Sequence, residues 1–464
     1  MNQQRKSLKS KLLRFLRYDF ETLLTFGYST KHPYRQLTVG YLSYIIFGTL
    51  LLSLPFMTTG VTPVSFIDNL FSSTSAISTT GLTTVDVSSS YTFAGQLLIL
   101  ILIQLGGIGY MTLSSYVMLK LTKHFTIIKK NILSAEFSTP ANIKIDNLIP
   151  SIITFTFLIE AIGAILLYFM FLSSGADSPI WSAIFHSVSA FCTAGFSIYS
   201  DNLMQFDTNT GVNIVIMALS YAGAMGFIVM IDLWKKITQK DYIISFSTKI
   251  IVLITLILSI WGTVQMYLFE PEFQSYAPSD RFLVSIFQTM SALTTVGYNT
   301  VNMGNLIPIT LLTITSIMYF GASPSGTGGG LKSTTTSAVF AFAKCKLSME
   351  RDIYLFGRRL PTFRVDNALT TFILYTTLLF AGSYLLTATD GKFGYEKVLF
   401  EAASALGTVG LSTGITPLIS TAGKLTLIFL MYVGRVGVLT IGYAMLFRMQ
   451  KRTGKIVTND DLAV

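Results

Sequence analysis

Four stretches of this chain repeat one twelve-residue pattern, and this repetition constrains the fold more than any other feature. Each stretch reads F-x-x-x-S-A-apolar-x-T-x-G-apolar. They are FSSTSAISTTGL at 71–82, FHSVSAFCTAGF at 185–196, FQTMSALTTVGY at 287–298 and FEAASALGTVGL at 400–411. The glycines of the pattern lie 114, 102 and 113 residues apart, a period too long for a solenoid of small repeats. The chain is therefore predicted to contain four copies of one helix–loop–helix unit.

The composition indicates a membrane protein. Of the 464 residues, 51% are hydrophobic and 12% are charged, whereas a typical soluble domain has about 25% charged residues. Eight apolar segments approach or exceed the roughly 20 residues that a helix needs to cross a bilayer. They are 36–56, 94–120, 148–173, 211–234, 249–269, 305–343, 366–387 and 421–447. Each repeated string lies between two of these segments and is too short to span, so it is predicted to be a re-entrant helix and loop.

The distribution of Lys and Arg predicts the orientation. Of the 33 basic residues, 27 lie in five regions: eight in the N-terminal segment, five in 120–146, four in 235–249, six in 344–364 and four at the C-terminus. All five regions fall on one side of an eight-helix topology, and basic residues mark the cytoplasmic side. Both termini are therefore predicted to be cytoplasmic. The N-terminal segment lacks the pattern of a cleaved signal peptide, and an interfacial helix is expected around Lys11–Phe26.

The predicted fold class is an all-α polytopic membrane protein. Four pseudo-repeats, each an outer helix, a re-entrant pore loop and an inner helix, are expected around a central pore, giving eight transmembrane helices. The repeats share one topology, so the axis that relates them is expected along the membrane normal. The predicted divisions are a cytoplasmic basic N-terminus at 1–35, pore repeats at 36–121, 147–235, 247–345 and 366–448, and a cytoplasmic tail at 449–464.

The T-x-G part of each string is suited to binding a cation. Glycine costs about 1 kcal/mol in a helix interior and permits backbone angles that other residues resist, so the short helix is expected to end there in an extended segment. Such a segment exposes a row of carbonyl oxygens, which need partners inside a membrane. Four segments around one axis supply rings of oxygens that can replace the water shell of a monovalent cation. The negative ends of the short helices also favour a cation.

A second set of glycines follows the first by 24 to 28 residues, within the next helix. The local sequences are LGGIG, AGAMG, FGASP and VGRVG, and the corresponding residues are Gly106, Gly223, Gly321 and Gly434. Small residues at these positions allow helix backbones to approach closely, with or without a further role in the pore.

The four T-x-G loops in an eight-helix chain resemble the Trk/Ktr/HKT superfamily of potassium transporters, and most of all its bacterial KtrB-type membrane subunit. The resemblance extends from about Arg35 to the last inner helix and implies potassium uptake through a channel-like pore, stimulated in some members by sodium. Gly81, where sodium-carrying plant relatives have serine, favours potassium, but a single glycine per loop leaves the selectivity open. The filter residues implied are Thr79, Thr80, Gly81, Thr193, Ala194, Gly195, Thr295, Val296, Gly297, Thr408, Val409 and Gly410.

The stretch GASPSGTGGGLKSTTTS at 321–337 interrupts the sixth apolar segment. Gly, Pro and Ser are poor helix formers, and irregular backbone at membrane depth is tolerated where it lines a cavity. The resemblance implies a flexible intramembrane gate loop at 321–333, below the filter, and an ordinary linker between two helices is the alternative. The predicted gate residues are Gly321, Ser323, Ser325, Gly326, Thr327, Gly328, Gly329, Gly330 and Lys332.

Arg435 places a charge inside the last apolar segment. An intramembrane charge is costly and usually functional. Below the filter it would repel cations, so Arg435 is predicted to be a pore barrier. Lys332 is expected to act likewise or to pair with a carboxylate. The alternative for Arg435 is a salt bridge to Glu160 or Asp232, or contacts with carbonyls at helix ends.

Three polar residues in or beside the strings have structural interpretations. Asp68 and Glu401 are expected to begin the short helices, where an acid interacts favourably with the helix dipole. His186 occupies the string position that Ser72, Gln288 and Glu401 hold in the other repeats. We expect His186 to make a polar contact there rather than to sense pH.

The sequence contains no pattern typical of an enzyme. The three histidines are widely separated, and no His/Cys cluster has metal-ligand spacing. No Lys follows Gly326, so a phosphate-binding loop is excluded. No bound cofactor is expected, and potassium in the filter is the only metal ion implied. The alternatives are a sodium-permeable or sodium-coupled carrier of the same fold, a membrane-embedded enzyme and a structural scaffold, but the last two give no reason for four cation-binding loops.

The resemblance also implies partners and a location. It implies a multi-pass protein of the bacterial plasma membrane that forms a homodimer on a cytosolic ring of regulatory subunits, which bind ATP/ADP or NAD. The basic cytoplasmic loops suit docking on such a ring or on anionic lipid. The net charge of +10 follows from these membrane-flanking loops, so no nucleic acid partner is expected.

Overall fold

The computed structural model describes residues 33–109, 112, 145–239, 241–321, 323–324 and 326–446. Nearly all of the regular structure in these residues is helical, which confirms the expected mostly helical chain. The predicted interfacial helix around Lys11–Phe26, the C-terminal tail at 449–464 and Ser325 of the predicted gate lie outside the described residues.

The first half of the chain forms two sets of helices. The first set comprises α1 (Pro33–Leu52), the short α2 (Phe66–Ile77), the single turn α3 (Val87–Ser90) and α4 (Phe93–Ile108). The second set comprises α5 (Ile145–Ser173), the short α6 (Pro179–Phe191), a 3-10 turn (Met204–Phe206), α7 (Thr210–Met225) and α8 (Phe227–Thr238).

The second half repeats this order. The third set comprises α9 (Phe246–Phe269), 3-10 turns at Glu272–Ser275 and Met303–Asn305, α10 (Pro278–Thr294), α11 (Pro308–Tyr319) and α12 (Ser333–Leu347). A two-stranded antiparallel hairpin follows, with β1 (Tyr354–Leu355) paired to β2 (Arg358–Arg359). The fourth set comprises α13 (Thr362–Asp390), 3-10 turns at Gly391–Phe393 and Thr416–Leu418, α14 (Tyr395–Leu406), α15 (Thr421–Val436) and α16 (Val438–Leu446).

The four repeated strings adopt the predicted short helix followed by a loop. Their F-x-x-x-S-A parts lie in α2, α6, α10 and α14. Asp68 begins its helix as expected, because Ser65 and Asp68 form a reciprocal capping box at the start of α2. The same expectation is wrong for Glu401, which lies in the middle of α14 because that helix begins at Tyr395.

Two of the predicted continuous segments are broken. The segment 211–234 bends by 103° between α7 and α8, and the segment 421–447 bends by 93° between α15 and α16. Gly226 and Gly437 stand at the two breaks with φ of 84° and 92°, a left-handed conformation that ends a right-handed helix. Gly109 has φ of 86° and ends α4 in the same way.

Several helices are suited to crossing a membrane. Among the described residues, three helices are long and apolar enough, α5, α9 and α13, and the number rises to five if each bent pair counts as one span. Their lipid-compatible character is visible in large apolar side chains that face outward. Examples are Phe169, Ile260 and Phe380, which are each more than half exposed.

The fourth set of helices packs back against the first. Lys424 at the start of α15 forms a 2.7 Å ion pair with Asp68 of α2, and the two side chains are 17% and 10% exposed. The hydroxyl of Tyr432 donates to the carbonyl of Thr38 at 2.6 Å. Arg35 donates to the carbonyl of Ala444 at 2.9 Å. These contacts join the two ends of the described chain.

We predict that the Asp68–Lys424 pair stabilises this closure. Lys424→Met leaves the Asp68 carboxylate buried without its counter-charge, which should cost about 3 kcal/mol of folding free energy. The measurement is the thermal unfolding midpoint of the detergent-solubilised protein. The control is Arg359→Gln, which breaks an ion pair with Asp352 whose side chains are 66% and 39% exposed and should change the midpoint little. Equal effects of the two substitutions would contradict the prediction.

Candidate functional site

The four Thr-x-Gly segments share one unusual backbone conformation. Each threonine has a left-handed φ, between 48° and 59°, and each glycine has a φ between 62° and 95°. A left-handed φ is uncommon for residues other than glycine and is a genuine outlier for a β-branched residue. Such strain persists only where the surrounding structure imposes it. The threonines are Thr79, Thr193, Thr295 and Thr408, and the glycines are Gly81, Gly195, Gly297 and Gly410.

The serine of each S-A pair holds its loop against the short helix. The N–H of the central loop residue donates to the carbonyl of that serine at 2.8 to 3.1 Å in all four repeats. The hydroxyls of Ser75 and Ser404 each accept from the N–H of the loop glycine at 3.0 Å. The hydroxyls of Ser189 and Ser291 instead donate to the carbonyl of the residue after the loop glycine, at 3.0 and 2.6 Å. The central N–H groups are thus turned towards the short helices.

The carbonyl oxygens of the loops have no such partners. Among the described residues, no hydrogen bond ends on a carbonyl oxygen of the twelve Thr-x-Gly residues. Every threonine and every central residue of the four loops is buried. Buried carbonyls are normally paired with protein, water or a ligand. The four loops therefore present buried acceptors that can be completed by a ligand.

The glycines bring the four loops into one closed ring. A methyl group added to Gly81 would lie 2.4 Å from the carbonyl oxygen of Ala194, the central residue of the second loop. A methyl group added to the glycine of the second loop would lie 2.0 Å from the carbonyl oxygen of Val296 in the third. One added to the glycine of the third loop would lie 2.1 Å from that of Val409 in the fourth, and one added to the glycine of the fourth would lie 2.0 Å from that of Thr80 in the first. Only glycine permits this approach, because a side chain would clash with the neighbouring carbonyl.

Three glycines of the second set pack against the ends of the short helices. A methyl group on Gly106, Gly223 or Gly434 would lie 2.2, 1.8 or 2.2 Å from the carbonyl oxygen of Ile77, Phe191 or Leu406 respectively. These contacts explain the close helix approach that the sequence predicts. Gly321 differs, because its methyl group would meet the carbonyl of Gly329 at 2.5 Å.

The loop between α11 and α12 lies directly against the four threonines. Thr193 donates to the hydroxyl of Thr327 at 3.0 Å, and the N–H of Gly329 donates to the hydroxyl of Thr295 at 3.0 Å. Thr79 is 3.5 Å from the carbonyl oxygen of Thr327. On the fourth side, Gly329 packs so closely against Thr408 that an added methyl group would lie 2.1 Å from its hydroxyl. This loop thus touches every repeat at the same level.

Helix breaks that the sequence analysis did not identify supply the acceptors for this loop. The last four carbonyls of a helix have no partner within the helix. Because α7 ends before Gly226, the carbonyl of Gly223 accepts from the N–H of Thr327 at 3.1 Å, and that of Ala224 from the N–H of Ser323 at 3.3 Å. The sequence feature that could have predicted these helix ends is a glycine three positions after each of Gly106, Gly223 and Gly434.

Arg435 contacts carbonyls and the threonine of the first Thr-x-Gly loop rather than an acid. Its guanidinium donates to the hydroxyl of Thr79 at 3.1 Å and to the carbonyls of Thr327 and Gly106. Gly106 lies in the last turn of α4, so Arg435 makes the contact with carbonyls at a helix end that was the predicted alternative for this residue. A salt bridge to Glu160 or Asp232 is not formed among the described residues. The positive charge remains beside the ring and the loop below it.

The other predicted polar residues have local partners. Lys332 donates to the carbonyls of Gly328 and Gly329 and forms no ion pair among the described residues. Glu160 accepts from the amide of Gln104 at 3.0 and 3.1 Å. Asp232 accepts from Tyr242, Ser245 and Thr248 and so fixes the connection between α8 and α9.

A cavity borders the loop between α11 and α12. Its volume is about 240 Å³. Its lining includes Tyr41, Lys332, Tyr375 and Arg435 together with glycines of the loop and of the helix breaks. The loop therefore contacts the ring and also lines the cavity, and both basic side chains line the cavity beside it.

Comparison with known proteins identifies relatives over almost the whole chain. The family described as TrkH, Cation transport protein, matches residues 25–457. The Ktr system potassium uptake protein B of Vibrio alginolyticus is 32% identical over 414 residues, which cover 88% of this chain and 90% of that protein. The potassium/sodium uptake protein NtpJ of Enterococcus hirae is 32% identical over 426 residues, which cover 90% and 94%.

The fold also matches a solved structure. The crystal structure of the potassium transporter TrkH from Vibrio parahaemolyticus superimposes with a TM-score of 0.70 at 20% sequence identity, covering 90% of this chain and 86% of that one. This likeness establishes a common fold.

We predict that Gly223→Ala disturbs the packing of α7 against α6. The new methyl group would lie 1.8 Å from the carbonyl oxygen of Phe191, and overpacking of this kind costs about 1–3 kcal/mol. The thermal unfolding midpoint should fall. Gly442→Ala, whose methyl group would meet its nearest atom only at 3.9 Å, should leave the midpoint unchanged or raise it slightly. An unchanged midpoint in Gly223→Ala would refute the close packing.

Proposed function

The chain belongs to the TrkH family of cation transport proteins, and from this membership we propose that it takes up potassium through a pore whose filter is the ring of four Thr-x-Gly loops. Potassium is the substrate, and the ions move down their electrochemical gradient. The relatives are named as uptake or transport proteins, and no enzymatic activity is proposed.

The observation that carries the proposal is the set of unpartnered loop carbonyls. Potassium filters replace the hydration shell of the ion with backbone carbonyls. Here twelve carbonyls that accept no hydrogen bond from the described residues belong to four loops that contact one another in a closed cycle. The central N–H groups, which would repel a cation, are bound to the serines of the short helices. Thr79 to Gly81 and their counterparts in the other three loops are the proposed ligands.

Selectivity between potassium and sodium is the finer part of the proposal. The relative from Vibrio alginolyticus is named for potassium uptake and that from Enterococcus hirae for potassium and sodium. The glycine at position 81 supports potassium as the preferred ion. A sodium-permeable or sodium-coupled carrier of the same fold is the second candidate, and the name of the Enterococcus relative favours it.

The loop between α11 and α12 is the proposed gate. It contacts the threonines of all four repeats directly below the ring, so an ion leaving the ring would have to displace it. Arg435 contacts both the ring, through Thr79, and the gate, through Thr327. Its charge repels a cation at that level, so Arg435 is the proposed barrier, and Lys332 adds to it.

The proposed setting is a bacterial plasma membrane crossed by eight spans with pseudo-fourfold symmetry. Both termini would be cytoplasmic, and the four strings would enter from outside. The four sets of helices, each containing one string, support this arrangement, and the bent pairs α7–α8 and α15–α16 would serve as inner helices. The names of the Ktr relatives refer to a system with more than one component. We propose a homodimer on a cytosolic nucleotide-binding ring.

The first test is rubidium uptake into proteoliposomes that contain the purified chain. We predict that uptake is inhibited by potassium more strongly than by sodium, and that Gly410→Ser reduces it at least tenfold, because the new side chain would clash with the carbonyl of Thr80. Gly60→Ser is the matched control, since Gly60 has a similar φ of 74° but no atom within 4 Å of the added group. Equal inhibition by the two ions would favour the sodium-permeable carrier.

The second test concerns the barrier. We predict that Arg435→Gln raises rubidium uptake without the partner ring, because a unit charge a few ångströms from the ion contributes several kcal/mol at an effective dielectric constant of about 20. An increase of about tenfold or more is expected. Arg435→Lys keeps the charge and should stay near the wild-type rate. Uptake by Arg435→Gln at or below the wild-type rate would contradict a barrier role.

A further inference from the structure

One position of the repeated string carries a different polar residue in each repeat. The residue that follows the first phenylalanine is Ser72, His186, Gln288 or Glu401, and all four side chains are completely buried. Burying a polar side chain costs free energy unless it forms hydrogen bonds that replace those it made with water. What each of these side chains binds therefore indicates what it does.

In three repeats the partner is the chain that leaves the filter, here called the exit segment. The exit segments follow the filter glycines and comprise 82–84, 196–198, 298–300 and 411–416. His186 shares a 3.0 Å hydrogen bond with the hydroxyl of Ser197, and Gln288 donates to the hydroxyl of Thr300 at 2.8 Å. Ser72 makes no bond to its own exit segment among the described residues. There, Thr84 donates to Asp68 at 2.8 Å instead.

Glu401 makes the most extensive of these contacts. One carboxylate oxygen accepts from the hydroxyl of Ser412 at 2.8 Å and from the N–H and hydroxyl of Thr413 at 2.8 and 3.1 Å. The other accepts from the hydroxyl of Thr416 at 2.7 Å. Hydrogen bonds to a carboxylate are stronger than those between neutral groups. The carboxylate therefore holds three residues of one exit segment.

Two side chains of α14 hold the fourth loop at its glycine and at the segment that follows. Glu401 and Ser404 are three residues apart, so they lie on the same face of the helix. Ser404 accepts from the N–H of Gly410 at 3.0 Å, within the filter, while Glu401 binds the exit segment beyond it. Of the carbonyls proposed to bind the ion, that of Gly410 lies between these two attachments, and those of Thr408 and Val409 come directly before them.

Glu401 also differs from the acid in the first repeat. Asp68 is paired with Lys424 at 2.7 Å, whereas the side chain of Glu401 has no ion-pair partner among the described residues and bonds only to neutral donors. Its contacts are confined to a single loop, so its removal should affect that loop before the rest of the fold.

We propose that Glu401 is a positioning residue that holds the fourth filter loop at the spacing suited to potassium and thereby determines discrimination against sodium. This inference rests on the proposed function. Sodium is smaller than potassium, so carbonyls prevented from moving inward coordinate it less well. A loop released from Glu401 can close further around the smaller ion. The equivalent contacts of His186 and Gln288 would act in the same way on their own loops.

The test compares Glu401→Ala and Thr416→Val with Ser72→Ala in the rubidium uptake assay. Thr416→Val removes the donor to one carboxylate oxygen of Glu401 at nearly constant side-chain volume. It therefore tests the role of this contact even if Glu401→Ala does not fold. Ser72→Ala changes the same buried string position without touching an exit segment. The readouts are the apparent affinity for rubidium, the maximal rate and the sodium concentration that halves uptake.

We expect that sodium halves uptake at about a tenfold lower concentration in Glu401→Ala, and at about a threefold lower concentration in Thr416→Val. The value for Ser72→Ala should match the wild type. Glu401→Gln, which keeps the shape of the side chain and one acceptor, should lie between wild type and Glu401→Ala.

A fall in maximal rate with unchanged sodium inhibition in Glu401→Ala and Thr416→Val would mean a merely structural role and would overturn the inference. So would an equal shift in Ser72→Ala. Failure of the wild-type protein to take up rubidium would overturn the proposed function itself. The two failures are distinguishable, because the first leaves wild-type uptake and its inhibition by potassium intact.

Discussion

Backbone carbonyls buried in a membrane protein need partners, and the rest of this structure depends on how that requirement is met. The four Thr-x-Gly loops leave twelve carbonyls without hydrogen bonds among the described residues, and helices that end early leave others. The two sets have different outcomes. Carbonyls at the ends of α4 and α7 accept from Arg435 and from the loop between α11 and α12. The carbonyl oxygens of the Thr-x-Gly loops accept no hydrogen bond from the described residues, as expected of a site that a cation completes.

The closed ring explains why one chain repeats the same dozen residues. The glycine of each Thr-x-Gly loop packs against a carbonyl of the next loop, and the glycine of the fourth loop packs against a carbonyl of the first. A missing or altered loop would remove one side of the ring and also the surface on which its neighbour packs. The ion pair between Asp68 and Lys424 closes the helices around the ring at the same junction between fourth and first repeats.

Local features of the structure were predictable from the sequence, whereas contacts between distant segments were not. The strings, their short helices and the close approach of Gly106, Gly223 and Gly434 follow from residue type and spacing. The breaks at Gly226 and Gly437 were missed because a single glycine in a long apolar segment does not by itself distinguish a kink from a packing contact. Glu401 was assigned to a helix start because it stands near the start of the string, but the helix begins five residues before the string does.

The partners of Arg435 illustrate the remaining limit. Thr79 lies 356 residues away in the chain, and no local pattern relates the two. The electrostatic argument anticipated a costly charge that needs acceptors, but not which carbonyls would supply them. The carbonyl of Gly106 is available because α4 ends at Ile108, and that of Thr327 belongs to the loop between α11 and α12. The type of residue shows that an arginine within an apolar segment needs hydrogen-bond acceptors, whereas the tertiary structure determines which acceptors it contacts.

The central claim, that the four loops together bind the transported ion, is tested most directly by anomalous X-ray diffraction from crystals of the protein grown in rubidium. The account predicts an anomalous peak on the axis of the ring, surrounded by carbonyl oxygens from all four Thr-x-Gly loops, that disappears when rubidium is replaced by sodium at the same concentration. No peak inside the ring, in protein that takes up rubidium in proteoliposomes, would contradict the account.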